Sequence, residues 1–226
     1  MTGSCEWTRG VTARLRTLRI GRPLHAYETV GSTNDVARAL ASAGAPEGAS
    51  VLARAKERGR GRRGRSWSSP ADQGVYLSVI LRPLLSVADS GWLAVLGGVS
   101  AADALEEIGL RGLRLKWPND VLVGGRKIAG VLVEPRAGAE RIEFAILGIG
   151  VNVAQPEGAW TGALKGHATS CHMEGVDATC EEVALAVLRH LESWYDAFSE
   201  GRTDGLMRAW TARGGTRRVP VVEESV

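Results

Sequence analysis

The sequence predicts an α+β fold in which a mixed, largely antiparallel sheet carries flanking helices. Apolar residues recur at helical spacing in three separate stretches, 34–43, 90–108 and 179–199. Between the second and third, residues 113–134 alternate apolar and polar on either side of Gly124-Gly125, the pattern of a half-buried hairpin. Residues 75–81 and 141–153 are rich in strand formers.

Taken in order, the first twenty-two residues show no sustained periodicity, carry Arg9, Arg14, Arg16 and Arg19, and end at Gly21-Arg22-Pro23. They are read as an irregular N-terminal extension, 1–22, too short for a DNA-reading helical domain. One domain follows over 23–210. In its first helix Val36, Ala37, Leu40 and Ala41 form the apolar face, with Ser32 or Thr33 placed to cap it. Val75–Leu81 is a core strand stopped by Arg82-Pro83. Trp92, Leu93, Leu96, Val99 and Leu105 share a face of the next helix, which Gly109 closes. Leu113, Leu115 and Trp117 alternate with Arg114 and Lys116, so Lys116 faces away from the apolar side. Strands over 121–123 and 127–134 follow, and the strand over 141–153 is interrupted by Gly148 and Gly150. The last helix runs through Val183, Val187, Leu191, Trp194 and Phe198, opened by a capping box of Thr179 and Glu182.

Composition excludes several classes. With 44% hydrophobic and 23% charged residues, 226 residues suffice to bury a substantial core, and wholesale disorder is ruled out. Of 28 basic residues only Lys56, Lys116, Lys127 and Lys165 are lysines, so the net charge of +3 reflects a preference for arginine. No run of about eighteen apolar residues suggests a membrane span or a secretory leader, and the chain is expected in the cytoplasm without membrane contact. Three cysteines, Cys5, Cys171 and Cys180, are too few and odd in number for a disulfide framework, in keeping with a reducing compartment. His167, Cys171, His172 and Cys180 crowd together but match no standard zinc spacing.

The segment Gly59-Arg60-Gly61-Arg62-Arg63-Gly64-Arg65 fits a G-x-G-x-x-G pattern. A dinucleotide fingerprint must open a helix, and Ser66–Pro70 breaks the chain there instead, so that reading is rejected. What remains is a glycine-permitted loop with four arginines, in which backbone N–H groups can approach phosphate and guanidiniums can bind its oxygens bidentately. A solvated basic loop or a nucleic-acid tether is the alternative. The 5% aromatic content and modest net charge weigh against nucleic acid and favour a small anion. Lys116-Trp117-Pro118-Asn119-Asp120 packs a cation, an amide and a carboxylate into one strand end, where an ordinary polar turn is the plain alternative. Lys127 follows a glycine turn, so the hairpin can bring it beside Lys116 and Asp120. Two lysines, an acid and an arginine loop at one point suit a reaction that builds negative charge on phosphate, as nucleotidyl transfer does.

These residues resemble the biotin protein ligases, of the short kind without an N-terminal DNA-binding domain. The matching motifs run in order along nearly the whole chain: Gly31-Ser32-Thr33-Asn34, the Gly59–Arg65 loop followed by Trp67, Lys116–Asp120, Lys127 through Gly130 to Glu134, and Gly148 to Asn152. The resemblance implies a catalytic domain of the biotin and lipoate ligases, related to the class II aminoacyl-tRNA synthetases. It implies a two-step reaction, in which biotin and ATP give biotinyl-5'-AMP and an acceptor lysine then takes the biotinyl group. The acceptor would be the biotin carboxyl-carrier domain of an acetyl-CoA or acyl-CoA carboxylase. Mg²⁺ is expected with ATP, with Asp120 the carboxylate in position to meet it; no DNA partner is expected, and the resemblance leaves room for a homodimer. By the same resemblance, Ser32, Thr33 and Asn34 would lie against the bicyclic ring, and Arg60, Gly61 and Arg62 would close over the adenylate. Trp67 would help hold adenine, and Lys127 would touch carboxylate and α-phosphate. Lys116 and Asp120 would support phosphate or orient the acceptor amine. Gly130, Gly148 and Gly150 would let backbone lie close to ligand, with Asn152 nearby.

Two positions depart from the pattern. Family members usually carry glutamine where Lys56 stands, and an ammonium cannot accept a hydrogen bond from a ureido N–H. Either Lys56 turns into solvent and a water replaces the amide, or the acid is not biotin; the first is expected. The family also closes with a small SH3-like β-domain, of which residues 211–226 would be a remnant. The alternatives are activation of a different carboxylic acid, or a ligand-binding homologue without catalysis.

Overall fold

The computed structural model describes residues 6–215. Its elements are α1 (Glu6–Arg14), β1 (Leu24–Val30), α2 (Thr33–Ser42), β2 (Ser50–Lys56), β3 (Gly74–Leu81), α3 (Gly91–Glu107), β4 (Leu113–Lys116), β5 (Asp120–Val123), β6 (Arg126–Ala137), β7 (Ile142–Asn152), α4 (Cys180–Ser199) and α5 (Thr203–Ala212). One seven-stranded sheet has the order β1-β2-β3-β7-β6-β5-β4. Only β1 and β2 pair in parallel; every other neighbouring pair is antiparallel. The expected α+β architecture is therefore the one observed.

Each face of the sheet is covered by what its side chains demand. Leu77, Val79, Val131, Leu147, Ile149 and Val151 join the main core with Leu93, Leu96 and Val99 of α3 and Val183, Val187 and Leu191 of α4. α4 opens with the expected capping box, Thr179 and Glu182 each bonding the other's backbone N–H. On the opposite face, α2 covers one end only, where Ala37 and Ala41 meet Val51, Ile80, Phe144 and Ile146. The remainder of that face, around Gly130, Gly148 and Gly150, is left for the site.

The structure corrects the reading of the N-terminal lead-in as irregular. Residues 6–14 are helical, and Val11, Leu15 and Ile20 are buried in the main core. Two apolar residues at i and i+4 among arginines are too weak a periodic signal; packing against the rest of the fold supplies the helix. β1, β2 and α5 also form where no element was anticipated. Most of the expected terminal remnant, residues 216–226, lies outside the described residues. Among the described residues, no helix is long and apolar enough to cross a membrane.

Candidate active site

The site is built on sheet register. Lys116 pairs with Asp120, Asp120 with Gly130, Gly130 with Gly150, and Gly150 with Tyr76, a single row across five strands. Directly paired residues project to the same face, and so do residues two apart on one strand. Gly148, Gly150 and Asn152 therefore share the face of Gly130, and the absence of side chains there makes a backbone floor. A Cβ at Gly148 would lie 2.4 Å from Asn34 Oδ1, and one at Gly150 only 2.8 Å from Trp67 Cε2. Glycine is the sole residue that admits both neighbours.

Around this floor lies a cleft of about 850 Å³. Ser32, Thr33, Asn34, Lys56, Arg60, Gly61, Arg62, Trp67, Lys116, Asp120, Lys127, Gly130, Gly148, Gly150 and Asn152 all line it. Asn34, at the N-terminus of α2, accepts from Ser78 Oγ at 2.6 Å and donates from Nδ2 to Glu134 Oε2 at 2.6 Å. Ser32 occupies the N-cap position of α2, but its side chain makes no cap hydrogen bond and is free for the cleft. Asn152 Nδ2 donates to the Thr169 carbonyl at 2.9 Å, closing a loop back onto β7.

Lys127 Nζ sits 2.5 Å from Asp120 Oδ1, an ion pair without hydrogen-bond alignment, and 5.1 Å from the centre of the Trp67 ring. Its backbone is clamped by Lys127 N donating to the His167 carbonyl and Thr169 N donating to the Lys127 carbonyl, at 2.8 and 2.9 Å. Trp67 lies across the glycine floor, with its indole Nε1 buried and without a hydrogen-bond partner. Trp117, by contrast, packs edge-on against Trp210 at 6.2 Å and helps close the core.

The arginine loop folds back on itself, Gly61 N donating to the Arg65 carbonyl and Trp67 N to the Gly59 carbonyl. Its cations are not equivalent. Arg60 makes a bidentate pair with Asp35, at 2.8 and 2.6 Å, and this holds the Asp35 carboxyl below the usual carboxylate range. Arg62 and Lys116 have no acidic partner among the described residues. Lys56 overturns the expectation that it turns into solvent. It is half-buried, with Nζ 5.1 Å from the centre of the Tyr76 ring. Burial, aided by repulsion from Arg60, pushes its pKa down to about 8. Fixed cations facing a concave floor with one lining carboxylate favour an anionic ligand.

Sequence reasoning missed the wall formed by Trp160, Leu164 and His167, which follows β7 and also lines the cleft. Nothing in its residue types marks it; only the return of the chain to Lys127 brings it there. Asp35 was likewise not singled out, and Glu134 was named only as the end of a matching motif, without a role. Among the described residues no three potential metal-ligating side chains come together, and Asp120 is the sole lining carboxylate, already paired with Lys127. These side chains do not by themselves build a Mg²⁺ site.

Fold and cleft together define a class: an α+β domain whose sheet carries a glycine floor beneath a cationic flap. Residues 26–152 match the model of the Biotin/lipoate A/B protein ligase family, and the chain belongs to that family. It is 35% identical to the biotin--[acetyl-CoA-carboxylase] ligase of Mycobacterium tuberculosis over 201 residues, 84% of this chain and 72% of that protein. It is 38% identical to the bifunctional ligase/repressor BirA of Bacillus subtilis over 156 residues, 69% of this chain. The match spans about half, 48%, of the length of that BirA. Among solved structures, the biotin protein ligase from Aquifex aeolicus in complex with biotin and ATP superposes with a TM-score of 0.69 at 31% identity, covering 84% of this chain and 77% of that one.

Proposed function

We propose that the protein is an ATP-dependent biotin–protein ligase acting on a lysine of a carboxylase carrier domain. The observation that carries this reading is the sheet row that puts Lys116, Asp120 and the glycine floor in line, with Lys127 beside Asp120 and Arg62 lining the same cleft. A named ligase relative and a solved relative holding biotin and ATP support the same conclusion.

In this mechanism the acid lies along the glycine floor with its ring toward Ser32, Thr33 and Asn34. A carboxylate oxygen attacks the α-phosphorus of ATP, the bond to the β-phosphate breaks, and pyrophosphate leaves. Negative charge grows where carboxylate and α-phosphate meet, and Lys127 is the ammonium suited to offset it. Charge-assisted hydrogen bonds of this kind contribute roughly 1.5–3 kcal/mol each. Asp120 holds Lys127 in place, while Arg62 and Lys116 supply charge to the phosphates. The biotinyl-5'-AMP so formed is then attacked at its acyl carbon by the acceptor lysine amine; an amide forms, AMP departs, and the amine proton passes to water or to Asp120. Mg²⁺ enters with ATP as part of the substrate.

Incubating the protein with biotin, MgATP and a purified carrier domain tests the reading. The carrier should gain the mass of one biotinyl group at its lysine, and an unmodified carrier after many turnovers' time would contradict it.

A further inference from the structure

Lys116 lines the cleft with no acidic partner among the described residues, so its placement depends on the backbone that carries it. β4 is an end strand of the sheet, and its burial alternates: Leu113 and Leu115 face the core while Arg114 and Lys116 are exposed. Leu115 N donates to the Arg213 carbonyl at 2.8 Å, just past the end of α5. On the other side of Lys116, Trp117 meets Trp210 of α5 edge-on, 6.2 Å between ring centres. Trp210 is buried, and a Cβ at Gly98 of α3 would lie 3.5 Å from both Trp210 and Leu115. Both chain neighbours of Lys116 are therefore held by α5 and the residue that follows it. That residue is tied down in turn. Arg213 Nη2 donates to Asp103 and to Glu106 of α3, each at 2.6 Å, with Nε 3.1 Å from Glu106 Oε1. Asp103 also accepts from Trp194 Nε1 of α4 at 2.6 Å.

We propose that Arg213 and Trp210 are positioning residues, bracing the end of β4 from behind so that Lys116 meets the phosphates of ATP. Neither touches the cleft; both act through the backbone on either side of Lys116. The Arg213 and Asp103 side chains are only 15% and 18% exposed, so their pair is screened less than one on the open surface. Two acids on one guanidinium, with Asp103 itself held by Trp194, make the network stronger than its separate pairs. A lysine stem is flexible, and an ammonium without a partner is aimed only by its Cα; a shift of about 1 Å at such a group can cost up to about a hundredfold in rate. The role of Lys116 at phosphate rests on the proposed ligase reading, whereas the brace itself does not.

Two measurements separate the brace from the ligase reading. In the ligand-free protein, hydrogen exchange at the Leu115 amide should be at least about fivefold faster in Arg213→Met than in the parent, with β7 amides unchanged. In ATP–pyrophosphate exchange with biotin, Arg213→Met should raise KM for ATP about fivefold and leave KM for biotin within about twofold, and Arg213→Lys should recover most of the loss. In a Lys116→Ala background Arg213→Met should raise KM for ATP no further, because the brace acts through Lys116. Should Arg213→Met fail to fold, Trp210→Phe, with a smaller ring at the same place, should give the same ATP-selective rise. Unaltered Leu115 exchange in Arg213→Met, a parallel rise in KM for biotin, or an equal rise in KM for ATP on the Lys116→Ala background would overturn the proposal. A parent without pyrophosphate exchange would sink the ligase reading and leave the Leu115 amide to decide the brace.

Discussion

A lysine ammonium held against a tyrosine ring, with no carboxylate partner among the described residues, is costly to desolvate. In the unfolded chain Lys56 keeps its proton up to about 10.5, but in the fold only up to about 8. Between those values the folded state binds fewer protons, so Lys56 makes stability rise with pH across that window, and its full cost is present below about 8. Lys56→Gln should therefore stabilise the protein by about 1 kcal/mol at pH 7, a gain that fades between about 8 and 10.5 in denaturant titrations run against pH. The same substitution restores an acceptor in the cleft and should lower KM for biotin. Position 56 stood out in the sequence as a departure from the family's usual glutamine, a donor-only group where an acceptor is expected. Its pose did not, because Tyr76 reaches it only through the pairing of β2 with β3. Asp35 shows the converse: after Asn34 it reads as an ordinary acidic residue in the first turn of a helix, and its link to Arg60 spans twenty-five positions.

At the scale of elements, Gly148 and Gly150 read in the sequence as interruptions of a strand, whereas β7 runs unbroken through both and their spacing by two bares one face of it. What they accommodate was not legible either, since Trp67 and Asn34 arrive from a loop and a helix far along the chain. Gly150→Ala would place a methyl 2.8 Å from Trp67 Cε2 and force the indole off the floor. Overpacking of this kind costs about 1–3 kcal/mol, and the displaced ring should raise KM for biotin about tenfold. Thermal unfolding beside substrate kinetics checks both effects. The antiparallel strands and the three strongly periodic helices were predictable because their patterns are long. α1 and β1 are short, weakly patterned and formed by packing, so local sequence carries little trace of them.

For the whole molecule, the sheet divides the labour. One face is sealed against α3 and α4, and the other is half covered by α2 and half left as a glycine floor beneath an arginine flap. That division lets a rigid core position Lys127 and Asp120 beside an open backbone floor. In the proposed reaction this face activates the carboxylate of biotin on ATP, with Lys127 as the cation at the reacting atoms. ATP–pyrophosphate exchange dependent on biotin, compared between the parent and Lys127→Ala, tests it most directly. Biotin-dependent exchange in the parent, reduced at least tenfold in the variant, is the expected result. Absence of exchange in the parent, or an undiminished rate in Lys127→Ala, would contradict it.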